Sequence, residues 1–579
     1  MPLYSTIQTM DAALRLFVGL AVTLMIVGHT ESAAVDAVTS EPFDFSEVLD
    51  SNGNYVLFWN FNSAHVTFEV HVQTTGWVGF GLSENGNMFP SDVVIGWVDD
   101  SGNAHFSDRH ANGHRLPLKD KSQDWHLLQG SQDGAKTILK FQRKIDTCDP
   151  QDRTIPENTA RVIYAYNDED PVSDDAIHYH GSTRGTKSVS LLSSIQTPTN
   201  LPSDVKYIDI LSRNYLLPPA KTTYHCFAFK MPDIGKHHMI KFEPIVTPGN
   251  EGHVHHFVLS RCNVSNPDDI DGIHGMCYDD RPKALPQCNE QILAWAVGGE
   301  AFYFPESVGF SMGGPEDGNL YVLEIHYDNP SQRSGVIDNS GIRLTLTSSL
   351  RAEEAGMLMI GDTVTFSQLI PPGRQNFVTV GMCNDKCIQE SLESSNLTEI
   401  NIFAIFQHSH LIGREIRTRH FRNGTEIEPL QNDPFYDFNF QETRKLPKVV
   451  KVRQGDSLSV DCVYDSTSRV GLTFGGLSTS DEMCLSFIYY YPKFPLSICT
   501  SRRTYNAVNS PPALAYHDLV SVDWSNQTEV AFIEEKIERS KIAGHCIRTD
   551  QPPNYFQDFD STMYKQPFVA PQTVCTNRK

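Results

Sequence analysis

Residues 400–410, INIFAIFQHSH, are a run of large apolar side chains that ends in two histidines. Runs rich in Ile and Phe favour extended structure, so this stretch is predicted to be a β-strand. Alternate residues of a strand share a face, and His408 and His410 therefore project on the same side as Phe406. Two imidazoles on one face are suited to hold a metal ion. The alternative interpretation is a hydrogen-bonded pair on a strand surface.

Runs of the same kind extend in both directions from this stretch. They are short, rich in β-branched and aromatic residues and broken by Gly, Asn and Pro: Tyr55–Trp59, Val66–Val72, 76–83 (GWVGFGLS), Asp92–Trp97, Leu320–Tyr327 and 483–492 (MCLSFIYYYP). The apolar and polar mix around Val530–Ile542 indicates a helix. Many strands with few helical periods predict an all-β protein built from several sandwiches.

The predicted strands fall into three blocks along the chain. We expect a first β-sandwich over 42–185, a second over 211–350 and a third over 351–505. A linker is predicted over 186–210, because a Thr-, Pro- and Asn-rich stretch lies within it. The remaining residues, 506–579, are predicted to be a C-terminal tail that packs back on the other domains.

The composition excludes several classes of protein. The chain has 579 residues, of which 40% are hydrophobic and 20% are charged. This is a globular composition, which excludes a mostly disordered chain, a collagen and a multi-pass membrane protein. The formal net charge of −23 repels phosphate backbones, so nucleic acid is not expected as a partner.

The N-terminal segment indicates where the protein is found. The apolar run Leu14–Val27 is followed by Ser32, Ala33 and Ala34, which predicts a cleaved signal peptide over 1–34, with an uncleaved anchor as the alternative. No apolar tail follows at the other end, so no C-terminal membrane anchor is expected. We expect a secreted or luminal protein of the endoplasmic reticulum or vesicles. Glycosylation sequons begin at Asn263, Asn396, Asn423 and Asn526.

Further residues with ligand chemistry are grouped along the chain. Histidines occur at 237–238, 253, 255–256 and 326. Met483 by itself is read as core packing, but beside a His pair its thioether becomes a soft ligand that suits Cu(I). No GxSxG, HExxH, P-loop or GxGxxG motif occurs, so hydrolase and nucleotide chemistry have no support.

Taken together, these blocks closely resemble the type II, ascorbate-dependent copper monooxygenases, and among them the dopamine β-hydroxylase-like proteins. Residues 76–98 are similar to a DOMON domain. The blocks similar to the catalytic core are TTYHCF (222–227), KHHMIKFEPIVTPGNEGHVHHF (236–257), LEIHYDNP (323–330), HSHLIGR (408–414) and EMCLSFIYYYP (482–492). The resemblance implies an Ig-like DOMON sandwich followed by two jelly-roll-like copper-binding sandwiches, stapled by disulfides.

The resemblance also implies two copper ions per chain. His237, His238 and His326 match a three-histidine electron-transfer site, and the 253–256 histidines are left out of it. His408, His410 and Met483 match the site for oxygen and substrate. Tyr224 and His408 match positions treated as catalytic, with a structural tyrosine as the alternative for Tyr224.

The twelve cysteines are even in number, which in an oxidising compartment favours six disulfides, although counting alone leaves their pairing open. The resemblance implies the pairs Cys148–Cys575, Cys226–Cys277, Cys262–Cys288, Cys383–Cys499, Cys387–Cys546 and Cys462–Cys484.

The implied activity is hydroxylation of a C–H bond with O2, and with ascorbate as the electron donor. Peptide-amidating relatives hold a carboxylate with an arginine and a tyrosine, whereas Phe406 and Phe487 stand at those places here. This favours a small aromatic or amine substrate. The alternative hypothesis is a secreted copper-binding or scaffold protein without turnover. Whether the chain forms a homo-oligomer is left open.

Overall fold

The computed structural model describes residues 39–193, 201–504, 519, 521–551 and 554–559. The predicted signal peptide and Cys575 lie outside the described residues. The described chain is built almost wholly from antiparallel sheets, which confirms the all-β prediction. No helix in these ranges is long and apolar enough to cross a membrane.

The first sandwich pairs two sheets, ordered β1-β2-β3-β9-β8 and β11-β10-β4-β5-β6-β7. Apolar side chains from both sheets, such as Phe68, Phe80 and Phe141, fill its core. Its strands are β1 (Phe45–Val48), β2 (Tyr55–Phe61), β3 (His65–Val72), β4 (Val78–Ser83), β5 (Ser91–Val98), β6 (Ala104–Ala111), β7 (Leu118–Lys119), β8 (His126–Asp133), β9 (Lys136–Lys144), β10 (Ala160–Tyr166) and β11 (Arg184–Val189).

The second sandwich has one sheet ordered β12-β23-β15-β20-β24, with β19 beside β15, and another ordered β17-β14-β21-β16-β18. A short 3-10 helix spans Pro267–Asp269. The strands are β12 (Lys206–Leu211), β13 (Tyr215–Leu216), β14 (Thr222–Lys230), β15 (His237–Ile245), β16 (Val254–Cys262), β17 (His274–Met276), β18 (Glu290–Ala296), β19 (Phe302–Tyr303), β20 (Val308–Met312), β21 (Leu320–Asp328), β22 (Ile337–Asp338), β23 (Gly341–Thr347) and β24 (Glu353–Glu354).

The third sandwich packs a sheet ordered β31-β28-β34-β25-β35-β36-β37 on one ordered β27-β32-β29-β30. Its elements are β25 (Gly356–Asp362), β26 (Leu369–Ile370), β27 (Phe377–Cys383), α1 (Asp385–Ser394), β28 (Glu399–His408), β29 (Gly413–Arg422), β30 (Thr425–Asp433), β31 (Arg444–Arg453), β32 (Asp456–Tyr464), β33 (Thr473–Phe474), β34 (Leu485–Tyr491), β35 (Leu496–Thr504), α2 (Gln527–Arg539), β36 (Lys541–Arg548) and β37 (Asn554–Phe559).

Two expected boundaries differ from the structure. The predicted linker 186–210 is shorter, because its first residues complete β11 and its last residues form β12, which pairs with β23. The tail beyond 505 contributes β36 to the third sandwich, where β36 pairs with β35. Backbone pairing with an existing sheet edge explains both differences, since an edge strand leaves hydrogen-bonding groups that a neighbouring segment can satisfy.

One apolar core extends across the boundary between the second and third sandwiches, and the third sandwich has a further core of its own. Along β34 alternate side chains point in opposite directions: Phe487 and Tyr489 face the second sandwich, and Ile488 and Tyr490 face the core of the third. The Tyr489 hydroxyl accepts a hydrogen bond from the Ala294 backbone N–H at 3.2 Å. This continuous packing holds the ends of β28 and β21 close to each other.

Disulfides staple the second and third sandwiches. Five pairs lie wholly within the described residues, and they are pairs that the resemblance implies: Cys226–Cys277, Cys262–Cys288, Cys383–Cys499, Cys387–Cys546 and Cys462–Cys484. The pairing of Cys148 with Cys575 falls outside the described residues. The asparagines of the four sequons, Asn263, Asn396, Asn423 and Asn526, are all exposed.

Candidate metal centre

The histidine pair of the opening stretch lies at the end of β28. In the antiparallel register His408 is opposite Leu485 on β34. Met483 precedes Leu485 by two residues, so continuing the antiparallel register places it opposite His410. Its side chain is buried, with 6% exposure. The rings of His408 and His410 are 5.2 Å apart between centroids. The sequence-predicted residues of this group are therefore brought to one end of two neighbouring strands.

Hydrogen bonds orient both imidazoles. The His408 Nδ1–H donates to Oε1 of Gln441 at 2.8 Å, and the His410 Nδ1–H donates to the Asp481 carbonyl at 3.2 Å. These bonds leave each Nε2 as a lone-pair donor, and both Nε2 atoms are buried without a hydrogen-bond partner among the described residues. Outer-shell bonds of this kind are what fix the tautomer and direction of metal-ligating imidazoles.

A second histidine group surrounds His326 on β21. His326 lies opposite His256 on β16, and a β-bulge between Val254 and His256 leaves His255 as an extra residue. The Nδ1 of His256 is 3.3 Å from Nδ1 of His255 and 3.3 Å from Nδ1 of His326. Nitrogens bound to one metal ion at about 2.0–2.1 Å in tetrahedral geometry are about 3.3 Å apart. The three rings are therefore spaced as ligands of a single ion.

The structure groups His326 with histidines other than the two that the resemblance implies. His237 and His238 lie on β15, in the other sheet of the second sandwich. There the Nδ1 of His237 is 3.1 Å from the Gly235 carbonyl, and the Nδ1 of His238 accepts the Arg351 N–H at 3.0 Å. The physical reason is the bulge, because it turns two consecutive side chains of β16 toward one site. Consecutive residues of a regular strand point to opposite faces.

The two histidine groups meet between the second and third sandwiches. Ring centroids are 5.2 Å apart for His256 and His408, and 6.4 Å apart for His326 and His410. The expected two sites in separate lobes thus form one cluster of five imidazoles across the domain boundary. His255, His256 and His326 are all buried, as are His408 and His410.

Burial keeps these histidines neutral. Desolvation, with repulsion from His408, lowers the pKa of His255 to about 3, and desolvation lowers the pKa of His408 to about 4. It also holds the pKa values of His256, His326 and His410 well below their usual range. Neutral imidazole is the ligand form of histidine. Buried nitrogens without partners are costly in a bare protein, so the cluster fits a bound metal.

The donor set indicates which metal fits. One group offers three imidazole nitrogens, and the other offers two imidazoles with a thioether sulfur. Zinc sites use His, Cys or carboxylate ligands, whereas thioether ligands select Cu(I). The thioether therefore indicates copper for the His408, His410 and Met483 group, and three imidazoles are a donor set that copper also accepts.

Tyr224 lies beside the three-histidine group. It is opposite His326 in the β14–β21 register, and its ring stacks on that imidazole with centroids 4.4 Å apart and an interplanar angle of 1°. Burial, with the nearby carboxylates, holds the pKa of Tyr224 well above its usual range. Its hydroxyl has no hydrogen-bond partner within the described chain. Tyr224 therefore presents a neutral phenol next to His326 rather than next to the His408 group.

Apolar side chains lie beside His408. The Phe406 ring is 6.4 Å from the His408 ring and 5.6 Å from the Phe487 ring. Both phenylalanines are buried, with 2% and 4% exposure. A packed aromatic pair therefore lies on one side of His408.

Several supporting residues were not found by sequence reasoning. The buried carboxylate of Glu482 accepts hydrogen bonds from the Ser409 hydroxyl at 2.9 Å and from the His410 and Ile412 N–H groups at 2.8 and 2.7 Å. Gln441 orients His408 from a loop 33 residues away. Glu482 opens the block 482–492 quoted above, but its supporting role, like that of Gln441, is not visible in the sequence because the partners are distant or are backbone atoms.

Comparisons with known proteins match three parts of the chain to family domains. Residues 208–334 match the N-terminal domain and residues 353–511 match the C-terminal domain of the copper type II ascorbate-dependent monooxygenases, and residues 51–167 match the DOMON domain.

Three curated relatives cover most of the chain. DBH-like monooxygenase protein 1 of Gallus gallus is 36% identical over 96% of this chain and 94% of that protein. The Homo sapiens protein of the same name is 41% identical over 78% and 74% of the two chains. Dopamine beta-hydroxylase of Bos taurus is 35% identical over 92% and 90%.

Proposed function

The chain belongs to the copper type II ascorbate-dependent monooxygenase family, and from that premise we propose that it hydroxylates a C–H bond of a small substrate with O2 and ascorbate. The observation that carries this proposal is the buried cluster of five neutral imidazoles with Met483 beside it. The Nε2 atoms of His408 and His410 are buried without hydrogen-bond partners among the described residues, and a bound ion would satisfy them.

Each group of the cluster is assigned one copper ion in this proposal. His255, His256 and His326 hold one ion, and His408, His410 and Met483 hold the other. Bound copper supplies the one-electron redox chemistry that links ascorbate oxidation to dioxygen activation. The protein keeps the ligands neutral, directs their lone pairs into the cluster and excludes water through the shared apolar core.

A small aromatic or amine substrate fits this chain better than a peptide carboxylate. Phe406 and Phe487 are apolar neighbours of His408, and apolar aromatic side chains favour contact with a substrate ring over a buried carboxylate. Several relatives are named dopamine beta-hydroxylase. A phenylethylamine-type compound is therefore the first substrate to test.

We also infer that the protein enters the secretory pathway. Exposed asparagines in all four sequons and five disulfides support this inference, since both features are typical of an oxidising compartment.

The test is oxygen uptake by the purified, copper-loaded protein with ascorbate and phenylethylamines. We expect uptake that requires both copper and ascorbate, and we expect Met483→Ile to abolish it by removing the thioether. The matched control is Met357→Ile, because Met357 is buried in the same apolar core on β25 and belongs to neither histidine group. Wild-type uptake by Met483→Ile would overturn the ligand assignment. Copper-loaded protein that consumes no oxygen with any such compound would favour the copper-binding scaffold.

A further inference from the structure

One loop contacts both histidine groups. Segment 433–441 begins at the last residue of β30 and ends before β31. The Phe438 ring stacks on His255 with centroids 3.9 Å apart, and the His255 Nε2–H donates to the Phe438 carbonyl at 3.1 Å. Gln441, at the other end of the segment, accepts from His408 at 2.8 Å. The segment therefore orients one imidazole of each proposed copper site.

The same segment supports the residue between His408 and His410. The Tyr436 hydroxyl donates to the Ser409 carbonyl and accepts the Ser409 N–H at 3.0 Å. Gln441 also donates its backbone N–H to the Val297 carbonyl of the second sandwich at 2.8 Å. A displacement of this loop would be transmitted to ligands in both sandwiches.

The first sandwich, which contributes no ligand to the cluster, holds this segment from outside. The Arg161 guanidinium donates to the Tyr436 carbonyl at 2.6 Å, and the Ser188 hydroxyl donates to Asp437 Oδ2 at 2.6 Å. The Thr159 hydroxyl donates to Asp433 Oδ2 at 2.6 Å. Thr159 and Ser188 are buried, so these bonds are shielded from water and constrain the loop along its length.

We propose that the first sandwich, the DOMON domain, is a positioning element that sets the orientation of His255 and His408 through segment 433–441. This inference rests on the proposed function, because it treats those imidazoles as copper ligands. Arg161 and Ser188 are positioning residues: they act through the loop and touch no ligand themselves.

The test uses the full chain loaded with copper and compares two double variants. Arg161→Met with Ser188→Ala removes side-chain bonds from the DOMON domain to the segment. Arg184→Met with Ser190→Ala is the matched control, since those side chains bond to Gly181 and Ser193 within the first sandwich. Gln441→Met removes the acceptor for His408 directly.

The readouts are the hyperfine splitting in the Cu(II) electron paramagnetic resonance spectrum and the rate of Cu(I) transfer to bicinchoninate. We expect the Arg161/Ser188 variant and Gln441→Met to alter the spectrum and to speed copper loss about tenfold. That is the lower end of the effect on metal affinity when a hydrogen-bond partner of a ligand is removed. The control variant should match the wild type. Ser188→Thr, which keeps the hydroxyl, should behave as the wild type does in both measurements.

The outcomes separate this inference from the proposed function. If Gln441→Met changes both readouts and the folded Arg161/Ser188 variant changes neither, the copper sites stand and the DOMON role is overturned. If the double variant does not fold, Ser188→Ala alone is measured, and a wild-type spectrum with wild-type copper loss overturns the role. Wild-type protein that binds no copper overturns both proposals.

Discussion

Replacing His256 with alanine should remove one copper ion from the protein, whereas replacing His238 with alanine should remove none. His256 is the central residue of its group, with its Nδ1 3.3 Å from both neighbouring Nδ1 atoms, and alanine leaves two of the three nitrogens that we propose as ligands. His238 bonds instead to the Arg351 N–H in the other sheet. Both truncations empty a buried position and should lower the free energy of unfolding by roughly 2–5 kcal/mol. The stability of the copper-free protein therefore does not distinguish the two variants.

The copper-linked stability does distinguish these variants. With free copper at 100 times the dissociation constant, each site adds about 2.7 kcal/mol to the stability of the native state. His256→Ala should lose about that amount relative to the wild type, and His238→Ala should lose none. The assay is urea unfolding with and without copper, together with copper counting by mass spectrometry after gel filtration.

The reasoning would be refuted by the opposite pattern. If His238→Ala loses one copper equivalent and its linked stabilisation while His256→Ala keeps both, the three-histidine site lies on β15 and the bulge on β16 has no role in it.

Three further predictions concern the first and third sandwiches. Burial, with repulsion from nearby carboxylates, raises the pKa of Asp108 to about 8, so the folded state keeps a proton that the unfolded state releases above about pH 4. The free energy of unfolding should therefore fall as pH rises from 5 to 7, by on the order of 1 kcal/mol per pH unit. Urea titrations across this range should show a flatter pH dependence for Asp108→Asn. Equal pH dependence in the two proteins would contradict this. Arg143→Met should destabilise the first sandwich by about 3–5 kcal/mol, because it leaves the fully buried Asp92 carboxylate without its ion-pair partner at 2.5 Å; a midpoint unchanged in urea would oppose this reasoning. Replacing both Cys462 and Cys484 with alanine should cost about 3 kcal/mol, measured as the shift in unfolding free energy, since the bridge closes a loop of 22 residues; no shift would argue against the bond.

Much of the strand structure was predictable from local patterns. The runs 400–410 and Leu320–Tyr327 lie almost wholly in β28 and β21, because apolar periodicity and side-chain branching act over a few residues. The predicted helix around Val530–Ile542 overlaps α2 (Gln527–Arg539) for the same reason. Domain edges were less predictable, since β12 and β36 exist through pairing with strands far away along the chain.

The amino-acid sequence by itself determined the all-β class, the family resemblance and the shared strand face of His408 and His410, because residue type and strand alternation are local properties. Only the tertiary structure decided which histidine pair joins His326. The pairs 237–238 and 255–256 are both adjacent histidines, so their spacing does not distinguish them. The β-bulge and the register of β16 do, because they place the 255–256 pair beside His326. Only the tertiary structure, too, connects the first sandwich through segment 433–441 to both histidine groups, since hydrogen bonds between residues 275 and 249 positions apart leave no local pattern to detect.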